Sequence, residues 1–319
     1  MDLKNFKVLA NGKMRQVAYD FLKDKVTLYD QQTKKFSPEE FDALLKDADA
    51  VYSVNYRRVD EEFLNKAPKL KMIGQFSVGY DHIDVNACHA HGVKVSNTPG
   101  VLTDAVADLA YGLIIDSARR ICAANSFVHK GTWGEKKAFG LTHDLANKTL
   151  GIIGMGDIGS AIAHRALASK MKIVYHNRHR RTDDEKIPAQ YLELEELLRT
   201  ADVVVLACSL NPSTLGLMNA ERLALMKPTA ALINISRGKV IDTDALVEAL
   251  ANKRLGYAAL DVTEPEPLPG DHPLLQLDNV VVTPHMASAT VETRDSMALL
   301  TAQNILNCLT GEPLLTEVK

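Results

Sequence analysis

The sequence predicts an α/β chain built from two doubly wound parallel sheets with a cleft between them. Three observations carry this. Strand and helix patterns alternate along almost the whole chain, a glycine-rich strand–turn–helix stands near its middle, and 319 residues exceed the size at which a single core stops growing.

In order, residues 6–10, 26–29, 50–54, 70–75 and 93–96 read as strands, with helical patterns at 14–22, 38–45 and 60–67 between them. Such alternation means parallel strands joined by helical crossovers. A long helix over 104–120 follows, with Val106, Leu109, Ala110, Leu113 and Ile114 at helical spacing. A second run of strands is expected at 150–153, 171–176, 202–207, 230–235, 257–260 and 280–283, with helices such as 244–251 between them. Residues 290–309 are again helical, so the C-terminal segment is expected to cross back onto the first domain. The domains are therefore placed at 1–100, completed by 290–319, and at 101–289. The apolar helix 104–120 invites a twofold dimer, although packing on its own domain explains its stripe equally well.

The stretch Leu150-Gly151-Ile152-Ile153-Gly154-Met155-Gly156-Asp157-Ile158-Gly159 runs an apolar strand into a Gly-x-Gly-x-x-Gly turn and a helix. Gly154 permits the tight turn, Gly156 lets backbone approach a pyrophosphate, and Gly159 lets helix pack on strand. The helix N-terminus adds free N–H donors and a positive dipole end. This predicts a Rossmann-like dinucleotide site. At the end of the next strand, where an acidic residue would bridge the ribose hydroxyls of NAD, stand Asn177 and Arg178, then Arg180 and Arg181. Arginines there favour a 2′-phosphate, hence NADP(H) over NAD(H). A solvated basic loop is the other reading of the same run.

Composition excludes several classes. A formal charge of −3 argues against nucleic acid as a main partner. No apolar run approaches the ~20 residues a bilayer span needs, and residues 1–5 lack a signal core, so a cytoplasmic protein is expected. Cys88, Cys122, Cys208 and Cys308 lie far apart and read as reduced, mostly buried thiols; Cys88-His89-Ala90-His91 reads as a solvent-facing helix end, and no metal site is expected.

Ligands of doubly wound sheets bind beyond the carboxyl ends of strands. Those ends carry Ser77-Val78-Gly79, Ser209, Ser236-Arg237-Gly238, Asp261 and Thr283-Pro284-His285, with Glu264-Pro265-Glu266-Pro267 following Asp261. Arg237 suits a forked contact to a carboxylate and carbonyl oxygen, or an interdomain salt bridge. A carboxylate on one ring nitrogen of His285 would favour the imidazolium and leave the other nitrogen to donate a proton; Glu266 is the candidate, although sequence spacing does not bring the two into contact.

Taken together, Gly154–Gly159, Asn234-Ile235-Ser236-Arg237-Gly238, Asp261-Val262-Thr263-Glu264-Pro265-Glu266-Pro267 and Pro284-His285-Met286-Ala287-Ser288 resemble the D-isomer-specific 2-hydroxyacid dehydrogenases over essentially the whole chain. Val78-Gly79-Tyr80-Asp81-His82, Val101-Leu102-Thr103-Asp104, Cys208-Ser209-Leu210 and His272-Pro273-Leu274-Leu275 are most similar to the glyoxylate/hydroxypyruvate reductases, which are usually NADPH-linked. The resemblance implies that Arg237 binds and polarises a 2-oxo acid, His285 donates the proton and Glu266 orients that histidine. It implies that the Val78 and Gly79 amides hold the substrate carboxylate, with Ser288 beside it. It further implies that Thr103, Ser209, Ile235 and Asp261 join Gly154, Met155, Gly156, Asp157, Ile158, Gly159, Asn177, Arg178 and Arg181 on the cofactor, that 1–100 is the substrate domain and 101–289 the dinucleotide domain, and that the protein is a homodimer. Thr263 and Met286 depart from the commoner pattern, which leaves a bulkier 2-oxo acid open. A nucleotide-sensing protein similar to the family's co-repressor relatives is a further reading.

Overall fold

The computed structural model describes residues 3–32, 34–134, 138–182 and 187–319. It comprises two compact units, Met1–Leu102 with Ser288–Lys319, and Thr103–Ala287. In the first unit the chain forms β1 (Lys7–Ala10), α1 (Gln16–Leu22), β2 (Thr27–Tyr29), α2 (Pro38–Leu45), β3 (Ala50–Ser53), α3 (Glu61–Asn65), β4 (Met72–Gln75), α4 (Val85–Ala90) and β5 (Lys94–Ser96). Local chemistry sets the helix starts. Ser37 and Glu40 close a reciprocal capping box in front of α2, with Pro38 in its first turn, and the Asp60 and Asp84 carboxylates accept from backbone amides at the starts of α3 and α4.

The second unit contains α5 (Thr103–Arg119), α6 (Ile121–His129), β6 (Thr149–Ile153), α7 (Asp157–Ala168), β7 (Lys172–His176), β8 (Ala189–Tyr191), α8 (Leu194–Thr200), β9 (Val203–Leu206), α9 (Ala220–Leu225), β10 (Ala231–Asn234), α10 (Thr243–Ala251), β11 (Tyr257–Leu260) and β12 (Val280–Val282). Its seven strands are all parallel, in the order β12-β11-β10-β9-β6-β7-β8. The order reverses between β6 and β9, where a doubly wound sheet opens a crevice for ligand. Every residue of β9, β10 and β11 is buried, as expected of strands covered on both faces.

The chain then returns to the first unit as α11 (Val291–Thr310) and β13 (Glu317–Val318). Thr290 caps α11 at its start, and Gly311 ends it at φ 81°, a left-handed conformation that glycine adopts without steric cost. The first unit's sheet runs β13-β5-β4-β3-β1-β2, parallel throughout except for β13, which pairs antiparallel with β5. Helix α11 presses on β4 so closely that a Cβ on Gly74 would stand 2.9 Å from Ile305.

Two expectations are corrected. Cys88 does not face solvent: it is fully buried at the inner face of α4, with His89 and His91 outside. Of the four free cysteines only Cys88 is buried; Cys122 is exposed and Cys208 and Cys308 are intermediate, because their helices and loops lie at the surface. The apolar stripe of α5 serves its own unit: Val106, Ala110, Leu113 and Ile114 are buried, and the helix lies against α7, β10 and β11. Among the described residues no helix is long and apolar enough to cross a membrane, and no three His, Cys, Asp or Glu side chains cluster as metal ligands.

Candidate active site

The glycine turn sits at the reversal of strand order. Gly154 has φ 100°, and a Cβ there would lie 2.6 Å from the Cys208 amide nitrogen just beyond β9. At Gly159 a Cβ would lie 2.3 Å from the Gly154 carbonyl oxygen, so helix α7 can start this close to β6 only with glycine. Gly156 differs. Nothing lies within 4 Å of where its Cβ would be, and it precedes α7 as an N-cap with no side-chain cap. The uncapped helix start and the open space over Gly156 together fit a pyrophosphate, whose charge the free N–H donors would meet.

The end of β7 splits its polar residues between two tasks. Asn177 Oδ1 accepts the Met155 amide at 2.6 Å, tying the second strand's end to the glycine turn. Arg181 turns inward: one terminal nitrogen donates to the Met155 carbonyl at 2.7 Å and to Ser160 Oγ at 2.6 Å. It buttresses the turn. Arg178 is exposed, and among the described residues no hydrogen bond or ion pair commits it.

Beyond β10 and β11 lie the residues with chemical reach. Asn234, fully buried, locks the turn after β10: its Oδ1 accepts from the Ser236 amide and hydroxyl at 3.0 and 2.9 Å, and its Nδ2 donates to the Arg237 carbonyl at 2.9 Å. Gly238 lets this turn press on the next one, since a Cβ would stand 2.0 Å from the Thr263 carbonyl oxygen. The Arg237 loop and the 263–266 turn are thereby brought together. Glu266 Oε1 lies 2.6 Å from His285 Nδ1, and Glu266 Oε2 accepts the Thr263 amide at 3.3 Å. Burial pushes the Glu266 carboxyl up, but the His285 contact, the Thr263 amide and the Arg237 charge outweigh it and hold the group below its ordinary value.

Asp261 does something that the pattern of residues did not reveal. It is 1% exposed, and its carboxylate accepts from Thr283 Oγ1 at 2.6 Å and from the Met286 and Ala287 amides, both at 2.9 Å. Its backbone carbonyl also accepts the His285 amide at 2.9 Å. Asp261 thus grips the histidine loop on both sides of His285. A buried carboxylate at a strand end, ahead of a Thr-Pro-His turn, was the only signal available.

The remaining candidates divide between the units. Thr103 opens α5, Ser209 is exposed after β9 with its carbonyl accepting from Thr214 Oγ1 at 2.7 Å, and Ile235 is buried after β10, all in the second unit. Val78, Gly79 and Ser288 belong to the first. Val78 and Gly79 follow β4, with their carbonyls bonded to Asn97 Nδ2 at 3.0 Å and Ser77 Oγ at 2.5 Å, while neither amide donates to an acceptor among the described residues.

Residues 111–287 match the family model for the D-isomer specific 2-hydroxyacid dehydrogenase NAD binding domain. The chain belongs to the D-isomer-specific 2-hydroxyacid dehydrogenases. It is 43% identical over 316 residues to a glyoxylate reductase of Pyrococcus horikoshii, spanning 96% of this chain and 93% of the relative. A glyoxylate reductase structure from Paecilomyes thermophila superposes with a TM-score of 0.90 at 34% identity, covering 98% of each chain. The NADPH-dependent glyoxylate/hydroxypyruvate reductase of Sinorhizobium meliloti, solved with NADP and malonate, superposes at 0.88 with 31% identity, covering 98% of this chain and 97% of that one. The protein is accordingly an NAD(P)-dependent dehydrogenase of this family.

Proposed function

We propose that the protein reduces a small 2-oxo acid, glyoxylate or hydroxypyruvate, using NADPH in preference to NADH, with His285 as proton donor. The observation that carries this is the 2.6 Å contact between Glu266 and His285 Nδ1 beside the Arg237 loop. A nicotinamide dinucleotide, when bound, supplies the hydride that adds to the 2-oxo carbon. The chain's own residues do the rest. Glu266 holds the imidazole by Nδ1, which leaves Nε2 to protonate the substrate oxygen. Arg237 offsets the negative charge developing on that oxygen and orients the carboxylate. Val78 and Gly79 receive the other end of the carboxylate, with residues 1–102 and 288–319 as the substrate domain and 103–287 as the dinucleotide domain.

Thr103, Ser209, Ile235 and Asp261 are assigned to the cofactor side and Ser288 to the substrate side. Preference for NADPH rests on Arg178, exposed and uncommitted beside the glycine turn. A phosphate near it gains about 1–4 kcal/mol between water-like and surface-protein dielectric, less desolvation. That predicts a preference of roughly ten- to several-hundred-fold in kcat/KM. The double change Asn177→Asp, Arg178→Ala should move it toward NADH, since a carboxylate repels the 2′-phosphate while keeping the acceptor for Met155. Equal use of both cofactors by the parent protein would reduce the arginine cluster to a solvated loop. NADPH oxidation with glyoxylate and with hydroxypyruvate tests the whole reading; absence of turnover, with NADPH still bound, would favour a nucleotide-sensing protein. The protein is further proposed to be cytoplasmic and to assemble as a homodimer.

A further inference from the structure

The Val78 and Gly79 amides after β4 are aimed from behind. In a planar trans peptide the C=O of one residue and the N–H of the next point in opposite directions. The Ser77 carbonyl accepts the Thr98 amide at 3.1 Å, so the Val78 N–H is turned away from residues 97–98. The Val78 carbonyl accepts Asn97 Nδ2 at 3.0 Å, so the Gly79 N–H is turned away likewise. One short segment after β5 therefore fixes both donors.

That segment is itself held by the chain's C-terminal return. The Asn97 amide donates to the Thr316 carbonyl at 3.3 Å, and Thr316 Oγ1 donates to the Asn97 carbonyl at 2.7 Å. Asn304 of α11, fully buried, donates from Nδ2 to Thr316 Oγ1 at 2.9 Å and accepts the Leu315 and Thr316 amides on Oδ1 at 2.8 and 3.2 Å. All of these residues lie in the first unit.

We propose that Asn97, held by Thr316 and Asn304, is a positioning residue that aims the Val78 and Gly79 amides at the carboxylate of the 2-oxo acid. The inference rests on the reading of the protein as a 2-oxo acid reductase. Asn97 touches no substrate atom; it acts through the Val78 peptide. Loss of its grip removes binding that ground and transition states share, which raises KM more than it lowers kcat.

The test uses Asn97→Asp, whose carboxylate cannot donate to the Val78 carbonyl, and Thr316→Val, which keeps shape but loses the hydroxyl, with Thr316→Ser as the conservative rescue. Expected are a KM for glyoxylate raised roughly 5–50-fold, kcat changed less than about threefold, and NADPH affinity unchanged, the loss corresponding to one or two weakened charge-assisted bonds. Oxalate, titrated into the NADPH-loaded protein by calorimetry, should weaken in parallel and recover in Thr316→Ser. This titration needs no turnover, so it separates the inference from the reading of the activity. Normal KM and oxalate affinity in Thr316→Val, or a loss confined to kcat, would overturn the proposal. So would weakening that Thr316→Ser fails to rescue. If Asn97→Asp does not fold, the Thr316→Val and Thr316→Ser pair decides alone.

Discussion

His285 occupies φ 51°, a left-handed backbone that costs a non-glycine residue on the order of 1 kcal/mol and persists only where its surroundings over-determine it. Asp261 provides that constraint through its carbonyl and both carboxylate oxygens. The strained turn delivers the imidazole to Glu266. His285→Ala should lower kcat by about 10²–10⁴-fold with little change in NADPH affinity, measured by steady-state turnover and cofactor titration. A near-normal rate would remove His285 from proton transfer. Glu266→Gln should be milder, because its amide oxygen can still accept from His285 Nδ1 at the 2.6 Å contact while the carboxylate charge is gone; a loss of kcat equal to that of His285→Ala would contradict this. The sign for Glu266 itself follows from its depressed value: its pair with His285 contributes fully above the ordinary 4.5 and is lost as pH falls through the lowered value. Arg237→Lys should damage both KM and kcat, since an ammonium cannot reproduce a fork; parent-like kinetics with glyoxylate would make Arg237 a distant charge only.

At the scale of elements, the three glycines of the β6–α7 turn separate into structural and ligand-facing roles. Gly159→Ala drives a methyl against the Gly154 carbonyl and should cost about 1–3 kcal/mol of stability, visible as a lowered melting temperature without cofactor. Gly156→Ala adds a methyl in open space and should leave apo stability nearly unchanged while weakening NADPH binding. Equal effects of the two on stability would contradict this division.

The elements most legible in the sequence are those with local causes. The apolar runs of β9, β10 and β11 announce buried strands, and the caps Ser37, Asp242 and Thr290 mark helix starts. The exposed and half-exposed strand β8 and the two-residue β13 carry no such signal, since neighbouring strands alone make them strands. In the site, Arg237, Glu266 and His285 stand out because they end strands or frame a turn. The inward turn of Arg181, the grip of Asp261 and the support of Asn97 by Thr316 depend on side-chain directions that only tertiary packing sets.

For the whole molecule, one run of exposed apolar side chains stands out in residues 121–134 and 138–141. Ile121, Val128, Trp133 and Leu141 are exposed at 54, 47, 76 and 103%, and Phe139 at 38%, within one stretch of the second unit. An apolar hollow of about 520 Å³ lies there, lined by Ile115, Arg119, Ile121, Ala124, Asn125 and Val128. Large exposed apolar residues clustered this way mark a contact surface, and the proposed homodimer places a second copy of this stretch against it. On that proposal the dimer surface includes α6 and the residues after it. Trp133 is the only tryptophan in the chain, so its fluorescence reports on this surface alone. Dilution should redshift its emission together with a fall in sedimenting mass from twice the chain's 35.0 kDa toward that value. Val128→Glu, placing a charge in the apolar contact, should yield the monomer at concentrations where the parent is dimeric. A parent protein that sediments as a monomer at high concentration, with solvent-exposed tryptophan emission throughout, would rule the homodimer out.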